Sequence, residues 1–249
     1  MEGENKMQAL ERTMGIASLL AEADHGGLSI SELAQRSGLP LSTMHRMLKA
    51  MADVRLAEQD EQTKLYRLGP VWMEYGLRIY DSIDYISKIR PELERLAREV
   101  NESVYLSRPS GIEAVVMERI DSEDNPIRVN DKLGLRIPMH IGAANKSMLA
   151  AMPDDHASDI LTRLIPKEDV AGFMEQLGRI REQGFADSHG ERTPGTSSVA
   201  VAVKDGLGAV IGSVSIGFVN YSLTDERLAF LAGKVKETGA RISAKLGVG

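Results

Sequence analysis

The sequence predicts an α+β protein with a small N-terminal region of helices and one β-hairpin, followed by a larger region that mixes helices with strands. Three observations support this fold class. Apolar residues repeat with helical spacing from Leu10 to Met51. Two short strand-like segments then flank the turn-rich residues 60–63. Beyond Gly69 and Pro70, strand-like and helical segments alternate through the rest of the 249 residues, a length sufficient for two ordinary domains.

Helices are expected in three segments of the N-terminal region. The first covers residues 10–21, where apolar residues at positions 10, 14, 17 and 20 form one stripe. The second begins at a capping box, in which Ser29 and Glu32 satisfy free amides at a helix start. The third follows Pro40 and places four apolar residues at i, i+3, i+4 and i+7, namely Met44, Met47, Leu48 and Met51.

The spacing of the second and third helices predicts a helix-turn-helix. Ala34 is small enough to let two helix axes approach, and Gly38 accepts the positive φ of a sharp turn. The apolar side of the third helix turns its polar side outward, where it can enter a major groove. That polar side consists of Ser42, Thr43, His45, Arg46 and Lys49.

Each of these polar residues suits a particular contact with double-stranded DNA. Ser42 and Thr43 suit phosphate at the helix start, whereas Arg46 can bond bidentately to a guanine edge. Lys49 can meet phosphate or base. The strand-like segments 56–59 and 64–68 complete a wing, and Lys64 and Arg67 are expected on the DNA backbone or in the minor groove.

Residues 1–70 are therefore predicted to form a winged helix-turn-helix that binds DNA. The alternative is a three-helix module that binds a partner protein through the same polar face. Between Arg36 and Arg67, six basic residues stand against four acidic ones, a net charge of +2 in a chain of net charge −6. Because this excess is small, we expect a homodimer that contacts two half-sites.

The remainder of the chain is predicted to hold a linker helix over residues 71–87 and a second domain over residues 88–249. The linker segment has apolar residues near helical spacing, beginning at Val71. In the second domain, helices are expected at 91–100, 143–152, 154–164 and 170–180 and after Thr224. Strands are expected at 104–106, 114–120, 199–203 and 209–219.

Composition excludes several other classes of protein. The absence of Cys rules out disulfides and thiolate chemistry, and no apolar run reaches the roughly 20 residues of a membrane helix. The start lacks an apolar signal core, so a cytoplasmic location is expected.

An enzyme is the main rival function, but no nucleophile elbow, zinc-protease motif or phosphate-binding loop is present. His140, His156 and His189 fit no metal-ligand spacing, and no cofactor is expected.

Two segments resemble the IclR family of transcriptional regulators. Residues 39–48, LPLSTMHRML, resemble the family pattern P-x-S-T-x-x-R-x-L, and residues 137–150, IPMHIGAANKSMLA, resemble P-x-H-x-x-x-x-x-K-x-x-L-A. The resemblance covers essentially the whole chain. It implies a GAF-like effector-binding domain, with a curved antiparallel sheet flanked by helices, and dimers that often pair into tetramers. It also implies a regulator, more often a repressor, of a neighbouring catabolic operon.

The resemblance further implies a small-molecule pocket for an organic acid. Carried over by position, the pocket amides fall at Ala143 and Ala144 and the strand hydroxyls at Ser198 and Ser215, with His189 and Arg192 nearby. Some members that bind small keto acids have Asp and Cys at the positions of Ser188 and Ser198, and Ser at that of Gly217. A glyoxylate-like effector is therefore not expected, and His189 and Arg192 suit a more acidic or a larger hydroxylated ligand. The alternatives are that the two strand serines are small core residues and that Arg192 is solvated in a polar loop. For His140, a hydrogen bond to backbone is expected rather than a role in ligand binding.

Overall fold

A computed structural model describes residues 2–23, 26–122, 124–221 and 223–247. The chain divides into two compact units, one ending at Asp84 and the other beginning at Tyr85. Within the described residues, every helix is too short or too polar to cross a lipid bilayer.

The first unit contains the expected helices and hairpin. Its elements are α1 (Glu2–Glu22), α2 (Ile30–Ser37), α3 (Leu41–Asp53), β1 (Ala57–Gln59), β2 (Tyr66–Leu68) and α4 (Val71–Asp81). Strands β1 and β2 pair antiparallel, as the wing requires. Ile16, Leu33, Met44 and Leu48 are completely buried, so the apolar stripes of all three helices share one core.

Two local predictions of this region are confirmed. Ser29 caps α2 through the Glu32 amide, and the Glu32 carboxylate accepts the Ser29 N–H at 2.8 Å, which is a complete capping box. Gly38 ends α2 with φ of 68°, in the left-handed region that an L side chain adopts only with strain.

The prediction of one continuous helix over residues 71–87 is wrong. Helix α4 ends at Asp81, and α5 begins at Asp84 and continues to Val100. At the break, the Ser82 hydroxyl donates to the Ile79 carbonyl at 2.6 Å, and the Ile83 amide bonds to Tyr80 in a tighter turn. A serine hydroxyl that competes for helix carbonyls in this way favours termination of the helix.

Helix α5 also begins earlier than expected, at Asp84 instead of Pro91. Pro91 therefore lies inside the helix rather than at its start. The helix expected over residues 91–100 would have Pro91 in its first turn, where the missing N–H is harmless. The structure instead continues the helix through the proline. Buried Ile86 and Ile89 before it and buried Leu93 and Leu96 after it form one apolar stripe, which stabilises both halves by packing.

The second unit is built on one six-stranded antiparallel sheet in the order β5-β4-β3-β8-β7-β6. After α5, the elements are β3 (Ser103–Ser110), β4 (Glu113–Ile120), β5 (Arg136–Pro138), α6 (Ala143–Ala151), α7 (Asp154–Thr162), α8 (Lys167–Gln183), β6 (Ala186–His189), β7 (Thr196–Lys204), β8 (Val210–Val219) and α9 (Asp225–Gly247). The predicted α+β class with a curved antiparallel sheet is confirmed.

Helices cover both faces of this sheet. Ala200 packs with Met148 and Leu177 of α6 and α8, which defines one face. The neighbouring Val201 points to the opposite face, because successive strand residues alternate. There it meets α9 at Gly239, where a Cβ would lie 2.4 Å from Cγ2 of Val201. The face that carries Ala200 is called the α6 face below.

Candidate DNA-binding surface and ligand cavity

The outer side of α3 carries the polar residues that the sequence assigns to DNA. Met44 and Leu48 are fully buried and fix the rotation of the helix about its axis. This rotation leaves Ser42, His45, Arg46 and Lys49 exposed and Thr43 partly buried. Thr43 and Arg46 also border a groove against α1. The structure therefore brings the five α3 residues together on one accessible face.

The wing presents its two predicted basic residues differently. Lys64 lies in the turn between β1 and β2 with φ of 60°. Arg67, on β2, pairs with Glu58 at 3.1 Å and with Asp60 at 2.9 Å. The charge of Arg67 is therefore already compensated within the wing, a feature that the sequence reasoning did not include.

Asp60 also builds the wing turn. Its Oδ1 accepts the Gln62 and Thr63 amides at 3.0 and 2.8 Å and the Thr63 hydroxyl at 3.0 Å. These hydrogen bonds, chiefly those from Thr63, hold the pKa of Asp60 below its usual value. The turn geometry and the Arg67 ion pair thus depend on the same carboxylate.

In the second unit, a cavity of about 640 Å³, its open mouth included, lies on the α6 face of the sheet. Cross-strand pairing explains why small hydroxylated residues meet there. Ser188 pairs with Ser198, Ser198 pairs with Gly217, and Ser215 pairs with both Ala200 and Tyr105. Directly paired residues point to the same face, so this set shares the face of Ala200.

The cavity brings together most of the residues predicted for the effector. Ala143, Ala144, Ser198 and Ser215 all line it, as do Ser188 and Gly217. Sequence reasoning missed Tyr105, Ser107 and Asp131, which come from β3 and from the loop before β5. Asn145 also lines the cavity and lies within the family-like segment. It is 2% exposed, and its amide donates to the Ile137 and Pro138 carbonyls.

His189, which the sequence reasoning placed with the effector, is not among the residues that line the cavity. On β6 its neighbour Ser188 faces the cavity, so strand alternation turns His189 to the other face. There its Nδ1 lies 3.0 Å from the Ser197 hydroxyl, and its Nε2 lies 3.0 Å from Asp187. The placement of His189 in the pocket is corrected accordingly.

His140 lies just before the cavity loop and does not line the cavity either. Its Nδ1 is buried without a hydrogen-bond partner among the described residues, so the expected bond to backbone is not seen. Burial lowers the pKa of His140, and the nearby Glu191 carboxylate partly offsets this effect.

A carboxylate of the chain itself occupies the start of α6. Gly142, with φ of 85°, is the N-cap residue, and its N–H donates to Oε2 of Glu191 at 2.8 Å. Oε1 of Glu191 lies 2.5 Å from the Lys146 ammonium. Helix N-termini attract anions through free amides and the helix dipole, and here Glu191 fills that role.

Among the residues that line the cavity, Arg192 forms an ion pair with Asp131. Arg192 belongs to the loop between β6 and β7, and Asp131 belongs to the loop between β4 and β5. Burial lowers the pKa of Arg192, and the nearby Tyr105 partly offsets that effect. Among the described lining residues, Arg192 is the one cationic group and Asp131 and Glu191 are the acidic groups.

Comparison with known families matches both units of the chain. Residues 9–61 match the IclR helix-turn-helix domain, and residues 78–244 match the C-terminal domain of the bacterial transcriptional regulator IclR. This chain belongs to the IclR family. The predicted family membership is confirmed, and the families and relatives that match are transcriptional regulators rather than enzymes.

Curated relatives match over nearly the full chain. The IclR-family chain is 27% identical to the HTH-type transcriptional regulator KipR of Bacillus subtilis, covering 98% of this chain and 99% of KipR. It is 28% identical to the HTH-type transcriptional repressor AllR of Escherichia coli, covering 97% of this chain and 91% of AllR.

Solved structures of IclR regulators share the fold. A regulator from Alicyclobacillus acidocaldarius aligns with a TM-score of 0.80 at 22% identity, covering 96% of this chain and 98% of the other. An IclR homologue from Microbacterium hydrocarbonoxydans, complexed with 4-hydroxybenzoate, aligns with a TM-score of 0.78 at 20% identity, covering 97% and 100%. The chain is thus a DNA-binding transcriptional regulator of the IclR family, with that family's C-terminal domain.

Proposed function

We propose that this regulator is a repressor of a neighbouring catabolic operon and that a hydroxylated carboxylate controls its affinity for operator DNA. One observation carries the effector part of the proposal. The cavity of the second unit is lined by the hydroxyls of Ser107, Ser188, Ser198 and Ser215, next to the start of helix α6. Hydroxyls and helix amides are suited to the oxygen atoms of a hydroxylated acid.

Residues 1–70 bind DNA in this proposal, residues 88–249 bind the effector and residues 71–87 connect them. Ser42, Thr43, His45, Arg46 and Lys49 enter a major groove. Lys64 contacts the backbone or minor groove, and Arg67 contributes less because Glu58 and Asp60 compensate its charge. Operator DNA lies in the cytoplasm, so we propose that the protein acts there.

We further propose that the protein binds DNA as a homodimer, with pairing of dimers as a second level of assembly. Exposed apolar side chains support a dimer. On α4, Met73, Leu77 and Tyr80 lie on one side of the helix at i, i+4 and i+7, and they are 71%, 62% and 38% exposed. Contiguous exposed apolar residues mark association surfaces, and a dimer doubles the small positive charge available for phosphate contacts.

In the proposed pocket, the amides of Ala143 and Ala144 and the hydroxyls of Ser198 and Ser215 donate to effector oxygens. The complex of the Microbacterium hydrocarbonoxydans homologue with 4-hydroxybenzoate, itself a hydroxylated carboxylate, supports this chemical class. The repressor role is supported by the relative AllR, a transcriptional repressor. The effector shifts DNA affinity by the difference between its affinities for the DNA-bound and free arrangements.

The direct experiment measures binding of the full chain to its own upstream DNA at two salt concentrations. Each titration is repeated with a panel of small carboxylic acids, sugar acids and aromatic acids. We expect tight, salt-sensitive binding that one hydroxylated acid weakens. Failure to bind DNA under every condition would contradict the proposal, and weakening by a neutral compound alone would contradict the effector class.

A further inference from the structure

The charged groups of the cavity are arranged as two internal pairs. Glu191 binds the Gly142 amide and Lys146, and Asp131 binds Arg192. The Gly142 amide, the Lys146 ammonium and the Arg192 guanidinium are therefore each already paired with a carboxylate of the chain. An anionic effector that binds one of these groups must displace that carboxylate or share its partner.

The Glu191–Lys146 pair is the harder one to open. The Lys146 side chain is only 3% exposed. Removal of Glu191 would leave the lysine charge buried without a counter-charge, which is strongly unfavourable. The negative charge of Glu191 also repels a second carboxylate at the α6 N-terminus. The Ala143 and Ala144 amides are therefore better suited to uncharged oxygens of the effector, such as its hydroxyls.

The Arg192–Asp131 pair is easier to exchange. The Arg192 side chain is 33% exposed, against 3% for Lys146, so water can stabilise its charge while one carboxylate replaces the other. The backbone around Asp131 is held independently of its side chain. The Tyr105 hydroxyl donates to the Val129 carbonyl, and the Arg119 guanidinium donates to the Asp131 carbonyl at 3.2 Å.

We propose that Arg192 binds the carboxylate of the effector and that Asp131 is its internal competitor, which leaves Arg192 when the effector binds. This inference rests on the proposed effector function of the same cavity and names its anion-binding residue. A guanidinium suits the role because its fork of N–H groups matches both oxygens of a carboxylate. Because one carboxylate replaces another, Arg192 remains paired throughout the exchange.

The test is a calorimetric titration of the full chain with D-gluconate, a hydroxylated carboxylate, and with sorbitol, its neutral counterpart. Asp131→Asn removes the competitor and should tighten gluconate binding by about threefold to tenfold. Asp124→Asn is the matched control, because it removes the same charge from the same loop at an exposed residue that does not line the cavity. Its gluconate affinity should equal that of the wild type.

Arg192→Gln should weaken gluconate binding by at least about tenfold, because a charge-assisted hydrogen bond is lost. Arg192→Lys, which keeps the charge, should retain part of the affinity and shows whether the position tolerates change. Sorbitol binding should differ little among these variants. Circular dichroism of each variant verifies that the chain is folded.

Two results would overturn the inference and leave the proposed function intact. One is unchanged gluconate affinity in Arg192→Gln while the cavity-filling Ser215→Leu abolishes it. The other is equal tightening in Asp131→Asn and Asp124→Asn, which would indicate a general charge effect. If the wild type binds a neutral ligand in this cavity but not gluconate, the inference is also wrong. If no compound of the acid panel binds, the proposed effector function itself fails.

Discussion

The Lys146 ammonium lies 2.5 Å from the Glu191 carboxylate, and the lysine side chain is almost completely buried. The second oxygen of the same carboxylate accepts the Gly142 N–H at the start of α6. One side chain thus neutralises a buried charge and satisfies a helix terminus. These contacts hold the loop after β6 against α6, which precedes it by about 45 residues in the sequence.

Glu191→Gln should lower the free energy of unfolding by roughly 3 kcal/mol, because it leaves the Lys146 charge buried without a partner. The double variant Lys146→Met, Glu191→Gln should recover most of that loss. Urea unfolding followed by circular dichroism measures both. Glu182→Gln, an exposed carboxylate on α8, is the charge control. A double variant as unstable as the single one would contradict the explanation by ion pairing.

Arg46→Ala should weaken binding to the operator by roughly 1 to 3 kcal/mol if the guanidinium contacts a base edge. Binding to a scrambled duplex should weaken less, since that duplex offers phosphate contacts only. Gel-shift titrations with both duplexes give the comparison, with Arg98→Ala in the second unit as a control for charge. Unchanged affinity for both duplexes would show that Arg46 does not face DNA.

Asp60→Asn should raise DNA affinity and steepen its salt dependence by about one unit of slope, because Arg67 loses one of its two acidic partners. The asparagine keeps a side-chain oxygen for the Thr63 and Gln62 amides of the wing turn. Glu61→Gln removes a charge from the same turn and serves as the control. If both variants raise affinity equally, the release of Arg67 is not the cause.

Ser215→Leu should abolish the response to effector and leave DNA binding in its absence unchanged. Ser215 is 6% exposed and lines the cavity, so the larger side chain occupies the ligand's space. Ser215→Ala removes the hydroxyl without adding volume and should weaken effector binding by about 1 kcal/mol. Unaltered effector affinity in Ser215→Leu would place the binding site elsewhere.

Features held by near neighbours in the sequence could be predicted from it. The Ser29–Glu32 capping box joins residues three positions apart, and the Gly38 turn needs only one residue of the right type. The apolar stripe through Met44 and Leu48 likewise identifies α3. The break between α4 and α5 at Ser82 could not be predicted in the same way, because the sequence has no glycine or proline there. Pro91 gave a misleading signal, because packing on both sides of it outweighs its missing N–H.

The charged pairs of the cavity could not be predicted from neighbouring residues in the sequence. Glu191 and Gly142 are 49 positions apart, and Arg192 and Asp131 are 61 apart. Only the strand order of the sheet brings their loops together. His189 was assigned to the pocket from its position near Ser188. Successive residues of a strand point to opposite faces, so His189 points away from the cavity that Ser188 lines.

Gly217 and Tyr105 illustrate how one position constrains another during divergence. A Cβ at residue 217 would lie 3.1 Å from Cε2 of Tyr105 and 3.5 Å from Cβ of Val129. The Tyr105 ring cannot easily yield, because its hydroxyl is bonded to the Val129 carbonyl. A serine at 217 therefore requires Tyr105 to shift by a few tenths of an ångström. The size of residue 217 and the position of the Tyr105 ring are thus coupled across the cavity lining.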